Sequence, residues 1–147
     1  MSNTLTGGEH LRRKTMLNFL KKNVNPKNRK TGDCSTRALV SVTNLSYDDC
    51  LYRQYNESVT NYYDPTSKQT IEAVLKKEGW VKMSQPRKLD GKKYKVGELD
   101  QIVDKATRDK GVLVTIANHH TAVVGDNIID LWDCRNKSIG NYYIKKS

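Results

Sequence analysis

The chain predicts an α+β protein, with helices in its N-terminal two thirds followed by an antiparallel β meander. Three observations carry this. Apolar residues recur at helical spacing up to Thr107, in segments opened by Asp33, Ser46 and Ser67. After Gly111 the pattern changes to short runs rich in Val, Ile, Thr and Tyr, separated by turn residues. With 147 residues, 36% of them hydrophobic, the chain can fill one core and has little left for a second. Residues 1–147 are therefore read as a single domain.

The segment from His10 to Val24 carries Leu11, Met16, Leu17, Phe19 and Leu20, which fits an amphipathic helix stopped by Pro26. A basic loop follows to Gly32, so residues 1–30 form a basic N-terminal helix and loop. Asp33 is placed as the N-cap of a short helix from Cys34 to about Thr43. Ser46 heads a second helix, with Leu51, Tyr52 and Tyr55 on one side and the Asp48-Asp49 pair facing the helix dipole. Ser67 to Glu78 reads as a third helix, ended by Gly79 at C′. Trp80 to Tyr94 reads as a strand with a loop, and Val96 to Thr107 as a fourth helix on Leu99, Ile102, Val103 and Ala106. Residues 33–107 thus make a mainly helical part. The β part, 111–147, has runs at Val112–Ile116, His120–Val124, Asn127–Trp132 and Ile139–Ile144.

Net charge is +10 and unevenly placed: residues 1–30 carry +7 and residues 76–95 carry +6, leaving −3 for the rest. Such stretches suit nucleic acid, an acidic protein partner or simply a solvated face. They lack an RNP-like aromatic pattern, a zinc finger or a helix-turn-helix, so no nucleic-acid fold is named. No apolar run approaches membrane-spanning length, and the first residues lack the order of a signal peptide. The expectation is a cytoplasmic protein with no membrane partner. Three cysteines without a CxxC pair argue against a disulfide framework and against structural zinc, so neither a metal nor a cofactor is expected.

Two short stretches carry chemistry. In Gly32-Asp33-Cys34-Ser35-Thr36-Arg37-Ala38, Cys34 sits at a helix start, where unpaired N–H groups favour thiolate. Arg37, one turn on, adds positive charge or pairs with Asp33. The plainer reading is a small buried cysteine. In the second stretch, Gly125-Asp126 suits a two-residue type II′ turn. That register puts Thr121 opposite Asp130, with His119 as the diagonal neighbour of Asp130 on the same face and His120 on the other. A bulge would exchange the two histidines, and a surface histidine pair is the plainer reading. A carboxylate beside imidazole fixes its tautomer and turns the other ring nitrogen to a thiol. Cys50 and Cys134 are expected to be structural, and Tyr142 and Tyr143 to pack a final strand.

A cysteine at a helix start, then histidine on a strand and Asp/Asn-x-Trp on the next, is similar to papain-like cysteine peptidases. Here Asn118-His119 leads a strand to Gly125, and Asp130-Leu131-Trp132 follows. The chain also resembles small uncharacterised papain-like proteins of tailed bacteriophages, in Asp33 to Ala38, His119 to Val123 and Asp130 to Asp133. The resemblance spans roughly Asn28 to Tyr143 and implies a papain-like fold. It implies Cys34 as nucleophile, His119 as base then acid, and Asp130 as the orienting group, with Trp132 shielding the His–Asp contact. Asn28, six residues before the cysteine, would take the place of an oxyanion-donating glutamine. The implied activity is thiol hydrolysis of a protein or peptide-like substrate through an acyl-enzyme, in a phage-encoded protein of the host cytoplasm. The alternative is a catalytically inactive papain-like binding protein whose basic segments, 1–30 and 76–95, engage nucleic acid or an acidic host protein.

Overall fold

The computed structural model describes residues 16–146. Within them lie six strands, four α-helices and one 3-10 helix. The strands are β1 (Asn18–Lys21), β2 (Trp80–Met83), β3 (Val112–Ile116), β4 (His119–Val124), β5 (Asn127–Asp130) and β6 (Tyr142–Lys145). The helices are α1 (Cys34–Val42), α2 (Tyr47–Asn61), α3 (Lys68–Lys77) and α4 (Lys105–Asp109). The strands form one sheet in the order β1-β5-β4-β3-β6-β2, antiparallel except where β1 runs parallel to β5. The α+β expectation therefore holds at the level of class.

Helix starts follow from short-range chemistry. The Ser46 and Ser67 hydroxyls accept from the N–H groups of Asp49 and Thr70, and cap α2 and α3. Gly79, at φ +84, follows the C-cap of α3 in the expected position. On α2 the buried residues are Cys50, Gln54 and Glu57, so the side bearing Tyr52 and Tyr55 faces solvent.

Strand alternation divides the core into two layers. Leu113, Ala122 and Tyr143 point to one face, where Ala38, Leu39 and Val42 of α1, Cys50 of α2, and Ile71 and Leu75 of α3 cover them. Val112, Val114, Val123, Ile128 and Tyr142 point to the other, against Leu17, Leu99 and Val103. α1 lies directly over β4, which sets its N-terminus above the start of that strand.

Three expectations need correction. Residues 10–15 lie outside the described residues, but 18–21 form a strand, not part of a helix. Leu17 is buried and Phe19 half-buried while Asn18 and Leu20 are exposed, a period of two that a β-sheet edge can use. The free edge of β5 supplies the backbone partners, with Phe19 beside Ile128. The expected helix 96–107 is instead a 3-10 helix, Val96–Gln101, a break, and then α4. Asp104 causes the restart, because its side chain accepts from the N–H of Thr107. The meander runs only through β3, β4 and β5. β6 crosses back to the far side of β3, and β2 completes that edge.

Gly111 turns the chain from α4 into β3 at φ +96, and a Cβ there would lie 3.0 Å from the Val42 side chain and 3.1 Å from its carbonyl oxygen. Gly91, at φ +86, has open space. A positive-φ alanine costs roughly 1–2 kcal/mol from backbone strain alone. Gly111→Ala is expected to destabilise the protein by more than Gly91→Ala, since only the former also displaces α1. Urea denaturation of the two variants checks this, and equal losses would contradict it.

Candidate active site

Cys34 is the first residue of α1, and its side chain is half-buried at the mouth of a cleft of about 610 Å³. Asp33 holds the N-cap position, and its carbonyl accepts from the Arg37 N–H at 2.9 Å. Its side chain does not cap the helix. The carboxylate instead takes Arg37 Nε at 2.8 Å, the Tyr47 hydroxyl at 2.7 Å and Asn25 Nδ2 at 3.0 Å. The first N–H groups of α1 are thereby left uncapped beside the sulfur, where they favour negative charge.

The hairpin delivers the other two groups. The β4–β5 register pairs Ala122 with Ile129 and Val124 with Asn127, across a turn with Gly125 at φ +62. Continued by one residue, it sets Thr121 against Asp130. His119 Nε2 then meets Asp130 Oδ2 at 2.7 Å. Its Nδ1 remains for the thiol side. The Trp132 ring packs against His119 with centroids 4.8 Å apart and planes tilted by 46°, and is 41% exposed.

The Asp130 carboxylate is 2% exposed and fully engaged. Besides His119 it accepts from Arg37 at 3.1 Å and from the Leu131 N–H at 2.7 Å. Arg37 thus pairs with both Asp33 and Asp130, a second partner that the sequence did not suggest. Asp133 is engaged elsewhere, with Arg135 on the surface.

These contacts set the protonation states. Burial alone would raise the Cys34 thiol, but donation from His119, the approach of the His120 ring and backbone N–H, and the His119 charge pull it down to about 5. Burial would lower His119, yet Asp130 and Cys34 together raise it to about 9. Between these values the pair is thiolate and imidazolium. Burial pushes Cys50 and Cys134 up to about 11. Cys134 is fully buried, with its sulfur 3.6 Å from Thr121 Oγ1, and both cysteines are structural.

His120 points to the opposite face of β4, as the alternation requires, and is 7% exposed. Its Nδ1 is 2.9 Å from Ser35 Oγ, which lies 2.9 Å from the Thr66 carbonyl oxygen. Nε2 is buried without a hydrogen-bond partner, so its ring approaches the sulfur without forming an aligned bond. Ser35, Tyr47 and Asn25 carried no signal in the sequence, because their roles depend on contacts across the fold.

Asn28 does not join the site. It is an exposed turn residue at φ +53 whose N–H donates to the Asn25 carbonyl, and it is not among the residues lining the cleft. Among the described residues, no cluster of His, Cys, Asp and Glu could hold a metal ion, and no helix is long and apolar enough to cross a membrane.

Set against known proteins, the chain matches no family model, no curated protein and no solved structure.

Two outcomes follow from this geometry. At pH 7, iodoacetamide is expected to label Cys34 at least about 100-fold faster than Cys50 or Cys134 in the native protein, because thiolate is the reacting form. The Cys34 rate should rise through pH 5, and His119→Ala should move that rise upward; peptide mass mapping reads both. Equal, slow labelling of all three thiols would remove the case for an activated cysteine. Arg37→Met leaves two buried carboxylates without their cation and is expected to cost about 3–5 kcal/mol in urea denaturation. A loss below about 1 kcal/mol would mean that the network does not hold α1 to the sheet.

Proposed function

We propose that the protein is a papain-like thiol hydrolase that cleaves an amide, ester or thioester carbonyl through an acyl-enzyme. The observation that carries this is the meeting of Cys34, His119 and Asp130 with thiolate and imidazolium both favoured. The helix-borne thiol over two adjacent strands bearing histidine and aspartate supports the papain-like reading, as do the three motifs. The basic stretch 76–95 gives less support to the binding alternative. Lys76 and Lys82 pair with Glu72, Lys77 with Glu57 and Lys88 with Glu98, so half of its cations are engaged within the chain.

In the proposed cycle the Cys34 thiolate attacks the carbonyl carbon, and the oxyanion forms against the N–H groups at the start of α1. His119 gives its proton to the leaving group as the C–N or C–O bond breaks. A water then gives a proton to His119 and its oxygen to the acyl carbon, and the acyl C–S bond breaks, which frees the acid and restores the thiolate–imidazolium pair. Asp130 keeps Nε2 engaged throughout, so that Nδ1 carries the transferred proton. A phage-encoded protein working in the host cytoplasm is part of the same proposal.

The test is acylation by p-nitrophenyl acetate. A burst of p-nitrophenol is expected, rising with pH through about 5 as thiolate forms and absent in Cys34→Ala. For anilide substrates, which need the His119 proton, kcat/KM should also fall through about 9. Turnover that survives alkylation of Cys34 would refute the proposal.

A further inference from the structure

The hydrolytic cycle uses only one of the two imidazoles that border Cys34. The other, His120, belongs to a short chain of hydrogen bonds whose hydrogens can be assigned by counting. Ser35 has a single hydroxyl hydrogen, and the Thr66 carbonyl oxygen, 2.9 Å away, can only accept it. The Ser35 oxygen therefore accepts from His120 Nδ1–H, also at 2.9 Å. In the neutral ring that places the hydrogen on Nδ1 and leaves Nε2 as a bare acceptor.

This lone pair is buried without a hydrogen-bond partner, on a side chain only 7% exposed. A buried acceptor with no donor is costly. The thiol of Cys34 is the donor beside it, since both residues line the same cleft and the ring and the sulfur are within reach of each other. The other groups around the ring do not compete. No Asp or Glu lines the cleft, and Lys68 stands exposed at its far side. Thr115, opposite His120 on β3, gives its hydroxyl hydrogen to the Asn141 carbonyl. His119 faces the other way, toward Asp130.

His119 has no lone pair to offer while it is imidazolium. Both of its nitrogens then carry hydrogen, Nε2 toward Asp130 and Nδ1 toward the sulfur. That state persists up to about pH 9. A Cys34 thiol formed in that range therefore finds its free acceptor on the neighbouring ring.

We propose that His120 is a second base of the site, taking the Cys34 proton at Nε2 while His119 serves as the acid. The inference rests on the reading of Cys34 as the nucleophile. In this step the S–H bond breaks, its electron pair stays on sulfur and an Nε2–H bond forms, so the charge of the pair is unchanged. The imidazolium donates through Nε2 to the thiolate and through Nδ1 to Ser35, whose own hydrogen points on to the Thr66 carbonyl. A bare lone pair facing a thiolate would repel it. The draw of both histidines on the Cys34 thiol thus accords with a proton held at Nε2.

The test is the pH profile of iodoacetamide labelling at Cys34, read by mass spectrometry. His119→Ala isolates the second base. In that variant Cys34 is expected to label at pH 6 roughly tenfold or more faster than in His119→Ala/His120→Asn, and its rise should lie at least about one pH unit lower. Asparagine sets an N–H near the place of Nδ1, which keeps the bond to Ser35, and leaves nothing at Nε2. His119→Ala/His120→Gln fills the place of Nε2 with an amide that takes no proton, and should match the asparagine variant. Rescue by glutamine would mean that the ring only packs, and would overturn the proposal. Nitrogen-15 NMR of the histidine rings needs no substitution: with Cys34 carboxamidomethylated, at pH 8, His120 should carry hydrogen on Nδ1 and none on Nε2. The reverse tautomer would also overturn it. If the His120 substitutions leave the His119→Ala profile unchanged while the unsubstituted protein still labels Cys34 ahead of Cys50 and Cys134, the second base alone is refuted. If Cys34 labels no faster than those two, the nucleophile reading itself falls.

Discussion

The buried carboxylate of Asp130 is the contact on which the site depends. An ionised carboxylate with so little exposure is stable only if its oxygens are occupied, and here they are. Burial would raise its pKa, but His119 and Thr121, with the Leu131 N–H, hold it below the usual carboxylate range. Arg37 closes the shell from α1. One side chain on β5 thereby fixes an imidazole on β4 and the first turn of α1. That turn carries Cys34. Arg37 ties that turn to β5 by an ion pair, so the position of the thiol is held electrostatically as well as by the core.

The two adjacent histidines show how strand geometry assigns roles. Successive side chains of β4 face opposite ways, so His119 reaches Asp130 and His120 reaches Ser35. Both still influence Cys34, because α1 begins above the start of β4 and the sulfur lies near the end of the sheet. Only His119 has a carboxylate behind it. Its partner is a buried ion, whereas His120 has a neutral hydroxyl. The Asp130 carboxylate, with Cys34, raises the His119 imidazolium well above the usual histidine range against the effect of burial.

Much of this was legible in the chain because it is local. Ser46 and Ser67 are caps whose partners lie three residues away, and the Gly125-Asp126 turn fixes the register that joins His119 to Asp130. What was misread depends on distant partners. β1 exists because β5 has a free edge, and Leu17 and Phe19 fit a period of two as well as a helix. The 96–107 segment has helical spacing but also contains Asp104, a stronger start signal than its apolar positions could override. Asp33 holds the expected N-cap position, yet its carboxylate turns from the helix N–H groups to three side-chain donors, Arg37, Tyr47 and Asn25. Asn28 was assigned by analogy of spacing alone, and its left-handed turn conformation serves the loop.

Arg37 also balances the charge buried around the start of α1. Asp33 and Asp130 are both ionised and buried close to the start of α1, and each disfavours another negative charge. Without a cation between them, the sulfur would face two carboxylates and one imidazolium. Arg37 bridges the two carboxylates and offsets one unit of charge. The His119 imidazolium offsets another. Five charges then leave a single net negative charge, spread over the sulfur and the carboxylates and met by the open N–H groups of α1. The chain's +10 does not supply this field, since much of it sits on exposed stretches that water screens. The charge around the start of α1 is therefore balanced by one buried guanidinium and one imidazolium, while the two histidines together draw the Cys34 thiol down.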